Sequence, residues 1–264
     1  MSQDDFKKHK AAQRESWSHF YKLEQVTIAP AAMLVDFAAI QPQDLVLDVA
    51  CGTGVVSLSA AARKARVCGI DLSAVLVERA IENAKIAEYE IEFREADVEA
   101  LPYPDNTFDV VLSQFGHMFA PRQDLALNEM LRVLKPQGRI AFSTWPPELF
   151  VGSFFQMMAR YSPKSSLEIP SPTLWGEPKY ILERFGARVT DVHFDRRINQ
   201  PSFLSVKHAR AQFETTLLMF FENINKTGPQ QLAAFRQEYE KLIGNYMRGN
   251  QLDQHFLMTK ATKV

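Results

Sequence analysis

Leu45-Val-Leu-Asp-Val-Ala-Cys-Gly-Thr-Gly54 is the stretch on which the fold turns. An apolar, β-branched run ends in a small turn bearing two glycines, and helix-forming residues continue from 54 to 65. Strand, tight loop and helix in that order make the opening unit of an open α/β sheet. Gly52 and Gly54 carry no Cβ, so a ligand can lie directly against the backbone there. The loop also meets a helix N-terminus, whose free N–H groups and dipole favour an anionic group such as a carboxylate. Several nucleotide-binding folds begin this way, so the flanking sequence has to decide between them.

Working outward, the same alternation repeats. Strands are predicted at 45–49, 66–71, 91–94, 108–112 and 139–144. Helices are predicted at 54–65, at 74–88 with Ser73 as its cap, and at 122–134. Turn-rich segments at 101–107 and 135–138 separate them. Such a pattern predicts a doubly wound, mostly parallel, Rossmann-like α/β sheet with helices on both faces. Right-handed crossovers place the loop after the first strand beside the loop after the fourth, where strand order reverses. Residues just past strands one to four should then converge on one crevice: 50–54, Asp71, Asp97 and 113–117.

On the N-terminal side, residues 4–22 read as one helix, with Trp17, Phe20 and Tyr21 at i, i+3, i+4 on a single face. These aromatics either dock the helix or, through Tyr21, close over a ligand. A second helix spans roughly 27–40, with Pro30 in its first turn. Beyond 145 the character changes. Residues 146–176 interleave prolines with Phe, Met and Trp, a helix at 177–185 is capped by Gly186, and 187–198 alternates as a strand. Two helices fill 205–248, broken at Thr227-Gly-Pro229, and 255–263 reads as a last strand. The expected division is 1–42 as helices capping the site, 43–145 as the binding core, and 146–264 as the rest of the sheet with a helical substrate-side insertion at about 203–250.

Composition narrows the function. Of 264 residues, 46% are hydrophobic and 23% charged, ordinary for a soluble globular chain. A net charge of −1 gives no support to nucleic-acid binding. The N-terminus is polar, without the apolar core of a secretory signal, and no apolar run approaches the ~20 residues of a membrane span. Cys51 and Cys68 form no C-x-x-C pair and fit a reducing cytoplasm, with no metal site expected. The Phe- and Met-rich segments at 149–161 and 213–221 suit either the roof of an apolar pocket or a homodimer face.

Three carboxylates stand out. Asp71 ends the second strand, where a carboxylate can accept hydrogen bonds from both hydroxyls of a ribose. Asp97 follows the third strand and suits an adenine amino group, with Val98 and Leu72 against the ring faces. Asp48 lies inside an apolar strand, so it needs partners or its pKa rises. It would hold loop N–H groups or a ligand's amino group.

The motifs Asp48-Val-Ala-Cys-Gly-Thr-Gly54, Gly69-Ile-Asp-Leu-Ser73, Ala96-Asp97, Leu101-Pro-x-Pro-Asp-x-x-Phe-Asp109 and Arg132-Val-Leu-Lys-Pro-x-Gly138 occur in this order. The chain thereby resembles the class I S-adenosylmethionine (SAM)-dependent methyltransferases, most closely the branch of the ubiquinone/menaquinone-biosynthesis C-methyltransferases. That resemblance implies a seven-stranded sheet whose last strand runs antiparallel, and SAM as cofactor. It implies Asp48, Ala50 and Gly52 around the methionine part, Asp71 and Leu72 at the ribose and adenine, Ala96, Asp97 and Val98 at the adenine, and Ser113 and Gln114 near the sulfonium. It also favours Tyr21 as an aromatic lid residue. Ala50 and Gln137 stand where the family often has glycine.

The implied activity is transfer of a methyl group to an apolar small molecule. His117, just beyond the fourth strand, is the candidate general base, with packing as its other reading. Two alternatives remain at this level. One is a SAM-binding protein without turnover. The other is a nicotinamide-dependent oxidoreductase, against which Ser57 stands at the third glycine position of the dinucleotide fingerprint.

Overall fold

A computed structural model describes residues 3–161, 168–216, 221, 224 and 228–264. Five strands, β1 (Leu45–Val49), β2 (Arg66–Asp71), β3 (Glu92–Glu95), β4 (Phe108–Gln114) and β5 (Leu134–Thr144), pair in parallel in the order 3-2-1-4-5. β6 (Val189–Asn199) closes the sheet, and β9 (Gln254–Lys263) inserts antiparallel between β5 and β6. The reversal of strand order falls between β1 and β4, as the crossover rule requires. A short ribbon, β7 (Met247–Arg248) with β8 (Gln251–Leu252), precedes β9.

Side-chain alternation sorts the core into two layers. Val46, Leu112, Ala141 and Met258 face α2 (Glu24–Phe37) and α3 (Val55–Ala61). Their neighbours Leu47, Val111, Phe142 and Leu257 face α5 (Gln123–Val133) and α7 (Pro178–Phe185). Both faces are covered, which is why the strands read as continuous apolar runs. α4 (Ala74–Ile86) follows β2. A third cluster forms where α6 (Phe150–Tyr161), α8 (Val206–Thr216) and α9 (Pro229–Tyr246) meet around Phe154, Phe213, Phe235 and Tyr239.

The ordered motifs largely serve this scaffold. Asp109 Oδ2 accepts the Leu45 N–H at 2.9 Å while Oδ1 pairs with Lys135, fixing the start of β1 against β4 and β5. Arg132 binds the carbonyls of Leu101 and Tyr103 together with Asp105 and Glu129, stapling the turn-rich segment onto α5. Gln137 sits at φ 63°, the left-handed region, which accounts for glycine being common there.

Several boundaries differ from the sequence reading. The first helix, α1, runs from Gln3 to Trp17 and stops, and a separate 3-10 turn covers Phe20–Leu23. Helix α2 begins at Glu24, so Pro30 lies inside it and not in its first turn. Ser73 occupies the N-cap position of α4, yet its hydroxyl makes no cap hydrogen bond. Strand β5 absorbs the predicted loop at 135–138 as an irregular lead-in. The helix predicted from 205 to 227 is observed as α8; residues 217–220, 222–223 and 225–227 lie outside the described residues. No helix among the described residues is long and apolar enough to cross a membrane.

Trp175 is fully buried at the centre of one layer, 5.6 Å from Phe142 and 4.9 Å from His117 between ring centroids. Trp175→Ala should destabilise the protein by about 3–5 kcal/mol. A fall in melting temperature of about 6–20 °C is the expected readout, and a loss below about 2 °C would contradict the packing described.

Candidate functional site

The loop after β1 is built from an unusual backbone. Ala50, Gly52 and Gly54 all have positive φ (54°, 57° and 83°), a path that turns the chain sharply from strand to helix. Ala50 pays for its Cβ with strain, and Gly116 makes room for it. A Cβ on Gly116 would lie 2.4 Å from that of Ala50, so the turns after β1 and β4 interlock. Ser113 fastens them further, its Oγ donating to the Val49 carbonyl at 2.9 Å and accepting the His117 N–H.

Asp71 holds the loop from the other side. Its Oδ2 accepts the Gly52 N–H and its Oδ1 the Ser73 N–H, each at 2.9 Å. Burial pushes the Asp71 pKa up, and these N–H groups, with that of Leu72, oppose the rise. Asp48 sits beneath the loop and is fully buried. Ser57 Oγ donates to its Oδ2 at 2.6 Å, while Oδ1 has no partner among the described residues. Burial raises the Asp48 pKa to about 7, against the hydrogen bonds from Ser57. Gly69 on β2 leaves room for both Phe93 and Ser57; a Cβ there would lie 2.5 Å from the Phe93 ring and 3.1 Å from Ser57 Oγ. The residue that breaks the dinucleotide fingerprint thus serves the buried carboxylate.

These loops open on one cavity with an empty volume of about 1380 Å³, its mouth included. Ala50, Gly52, Asp71, Leu72, Ala96, Asp97, Val98 and Gln114 all line it. Asp71 and Asp97 therefore face the same space. A Cβ on Gly52 would meet only the Phe20 ring, at 3.9 Å, so the backbone is bare toward the cavity. Gln114 donates Nε2 to the Thr27 carbonyl, and its buried Oε1 has no partner among the described residues.

Four of the sequence-predicted site residues, Tyr21, Asp48, Ser113 and His117, do not line this cavity. Tyr21 is 43% exposed and does not line the cavity; the break after Trp17 turns it outward and brings Trp17 and Phe20 in. Asp48 and Ser113 brace the loops from below instead of lining the cavity. His117 turns into the core between Phe142 and Trp175, where burial pushes its pKa down to about 3 and both ring nitrogens lack partners among the described residues. A ring placed there does not reach a ligand in the cavity.

The sequence reading expected a capping helix here but not the polar contacts through which α1 forms a wall of the cavity. Lys10 Nζ contacts Asp97 Oδ2 at 2.5 Å and also pairs with Glu99, a buried carboxylate that Arg122 holds at 2.7 Å. Gln13 Nε2 donates to the Phe119 carbonyl, and Arg14 Nε to that of Leu72. Trp17 packs 4.8 Å from the Phe119 ring. Lys10, Gln13, Arg14 and Trp17 fall at i, i+3, i+4, i+7, a helical face visible in the sequence once polar residues are counted with the aromatics. Farther from the glycine loop, the walls are aromatic and come from α6, α8 and α9 together with Trp145. Among the described residues, no cluster of His, Cys, Asp and Glu is arranged to hold a metal.

Comparison with known proteins agrees with this layout. The family described as "Methyltransferase domain" matches residues 46–138. An uncharacterized protein of Mycobacterium tuberculosis is 36% identical over 183 residues, covering 68% of this chain and 67% of that protein. The demethylmenaquinone methyltransferase of Thermus thermophilus is 37% identical over 115 residues, covering 43% of this chain and 52% of its own. Among solved structures, a candidate methyltransferase of Bacillus halodurans superposes with a TM-score of 0.62 at 22% identity, covering 89% of this chain and 99% of that one.

The buried acid gives a test of the site's electrostatics. Folded Asp48 takes up its proton near pH 7, whereas an unfolded aspartate does so near its ordinary 3.8. Between these values the folded protein binds the extra proton, so this group makes stability fall as pH rises through that window and leaves it level above. Asp48→Asn removes the titration and supplies a donor in place of the unpartnered oxygen. Its melting temperature relative to the parent should therefore rise from pH 5 to pH 8; a gap independent of pH would show that Asp48 is ionised throughout.

Proposed function

The chain belongs to the class I SAM-dependent methyltransferases, and we propose that it transfers a methyl group from SAM to a neutral, predominantly apolar small molecule. The observation that carries this reading is the single cavity at the carboxyl ends of β1 to β4, carboxylate-lined at one end and aromatic at the other. The residues present suit the cofactor. Asp71 keeps lone pairs free after accepting its two N–H groups and would hold the ribose hydroxyls. Asp97, with Ala96, Val98 and Leu72 around it, would take the adenine. The bare backbone of Gly52, Ala50 and the unpartnered Oε1 of Gln114 would receive the amino-acid end, whose ammonium is a donor.

Bound SAM supplies a methyl group already activated on a positive sulfur. What remains for the protein is alignment and exclusion of water. The aromatic walls suit the second task, and the clamp of Lys10, Gln13 and Arg14 over the strand ends suits the first. No histidine lines the cavity among the described residues, so we infer that no histidine acts as base.

The charge distribution supports a neutral acceptor. Among the described residues, the carboxylates lining the cavity, Asp71 and Asp97, both lie on the cofactor side, and the lining cation, Lys10, is paired with Asp97 and Glu99. The name of the Thermus relative, a demethylmenaquinone methyltransferase, points the same way.

Titration calorimetry with S-adenosylhomocysteine (SAH) tests the reading. Saturable binding is expected, and Asp71→Ala should weaken it by about 1–3 kcal/mol, roughly 5- to 150-fold. Absence of binding at about millimolar ligand would overturn the assignment. Turnover of labelled SAM against a panel of apolar acceptors then separates an enzyme from a protein that only binds.

A further inference from the structure

Two side chains in the aromatic half of the cavity are polar, buried and incompletely paired. Tyr239, on α9, is 1% exposed and lines the cavity. Its hydroxyl makes no hydrogen bond to a described residue. Burial, with Glu214 nearby, raises the phenol pKa well above its ordinary value, so the group is a neutral donor. Gln254, at the start of β9, is 4% exposed and also lines the cavity.

The orientation of the Gln254 amide is fixed from behind. Pro30 has no N–H to give the Val26 carbonyl four residues earlier in α2. Asn199 Nδ2 takes that place, donating to Val26 O at 2.8 Å and to Gln254 Oε1 at 3.3 Å. With Oε1 committed to Asn199, Gln254 turns Nε2, a donor without a partner among the described residues, toward the cavity.

We propose that Tyr239 and Gln254 are the donors that select and position the methyl acceptor through a neutral oxygen, carbonyl or hydroxyl, carried on an apolar frame. This rests on the methyltransferase reading above and adds the feature by which the acceptor is recognised. A wholly apolar ligand would strip water from both donors and leave them unmade, whereas a ligand that carries oxygen lets them pair. The N–H groups of Gln254 also oppose a cation, so this part of the cavity suits an ammonium poorly despite its rings.

The test uses probes that differ only in the feature at issue. Equilibrium dialysis of the full chain without SAH, against 2-naphthol and naphthalene, should show 2-naphthol binding roughly tenfold tighter. Tyr239→Phe should cut that ratio to about twofold or less. Gln254→Glu keeps an oxygen for Asn199 but replaces the donor with a carboxylate; it should lose the naphthol preference and bind phenyltrimethylammonium better than the parent does. Equal binding of the two naphthalenes by the parent, an unchanged ratio in a folded Tyr239→Phe, or a parent preference for the ammonium would each overturn the proposal. Should Tyr239→Phe fail to fold, Gln254→Glu decides alone. Because the ratio is read without SAH, its failure is separable from a failure of SAH to bind.

Discussion

The carboxylate of Asp71 is the joint on which the site depends. It reaches from the end of β2 to the N–H of Gly52 in the neighbouring turn and curls back to the N–H of Ser73. The turn it holds contains three left-handed residues, one of them an alanine, and a backbone on that path does not maintain itself. Burying a carboxylate is costly unless N–H groups replace its water, and here the loop amides do so. The two requirements answer each other. A strained loop gains an anchor, a buried acid gains donors, and the same residue lines the cavity.

That reciprocity explains which parts of the molecule were legible in the sequence. The sheet was, because apolar β-branched runs of strand length alternate with helical segments, and order reversal follows from the handedness of crossovers. The convergence of Gly52, Asp71 and Asp97 on one cavity was, because they sit at strand ends that the sheet topology brings together. Asp48 and Ser113 lie in the same region, deeper than the cavity wall. Their alternation in the strands makes them buried, and burial turned them toward Ser57 and Val49 instead of the cavity.

The first helix shows where periodicity fails. Trp17, Phe20 and Tyr21 share a face only if the helix is unbroken, and the chain leaves α-helical geometry after Trp17. The change of path brings Phe20 toward Gly52 and leaves Tyr21 exposed. No residue between them, Ser18 and His19 included, is a glycine or proline that would announce the break. What fixes it is tertiary: Lys10, Gln13 and Arg14 are tied to three different strand ends, and the helix must lie where those groups reach. For His117, packing is the reading that the structure bears out. Position after a strand says which edge of the sheet a residue occupies, not whether its ring turns to the cavity or, as here, to Phe142 and Trp175.

The acceptor half follows a different logic and was opaque to sequence. Its walls come from segments far apart in the chain, α6, α8, α9 and the start of β9, which share no motif and only a bias toward aromatic residues. Nothing in a linear reading connects Pro30 to Gln254. In three dimensions the missing N–H of Pro30 leaves a carbonyl for Asn199, and Asn199 in turn fixes which end of the Gln254 amide is free. The proline that interrupts α2 thus sets the hydrogen-bonding character of a pocket wall more than two hundred residues away in sequence. Cofactor binding is written in loop geometry, which a short motif can specify. On the proposal above, acceptor choice is written in the polarity of a few buried atoms, set by hydrogen-bond chains that tertiary contact alone creates. Relatives that keep the first and vary the second would share SAM while differing in what they methylate.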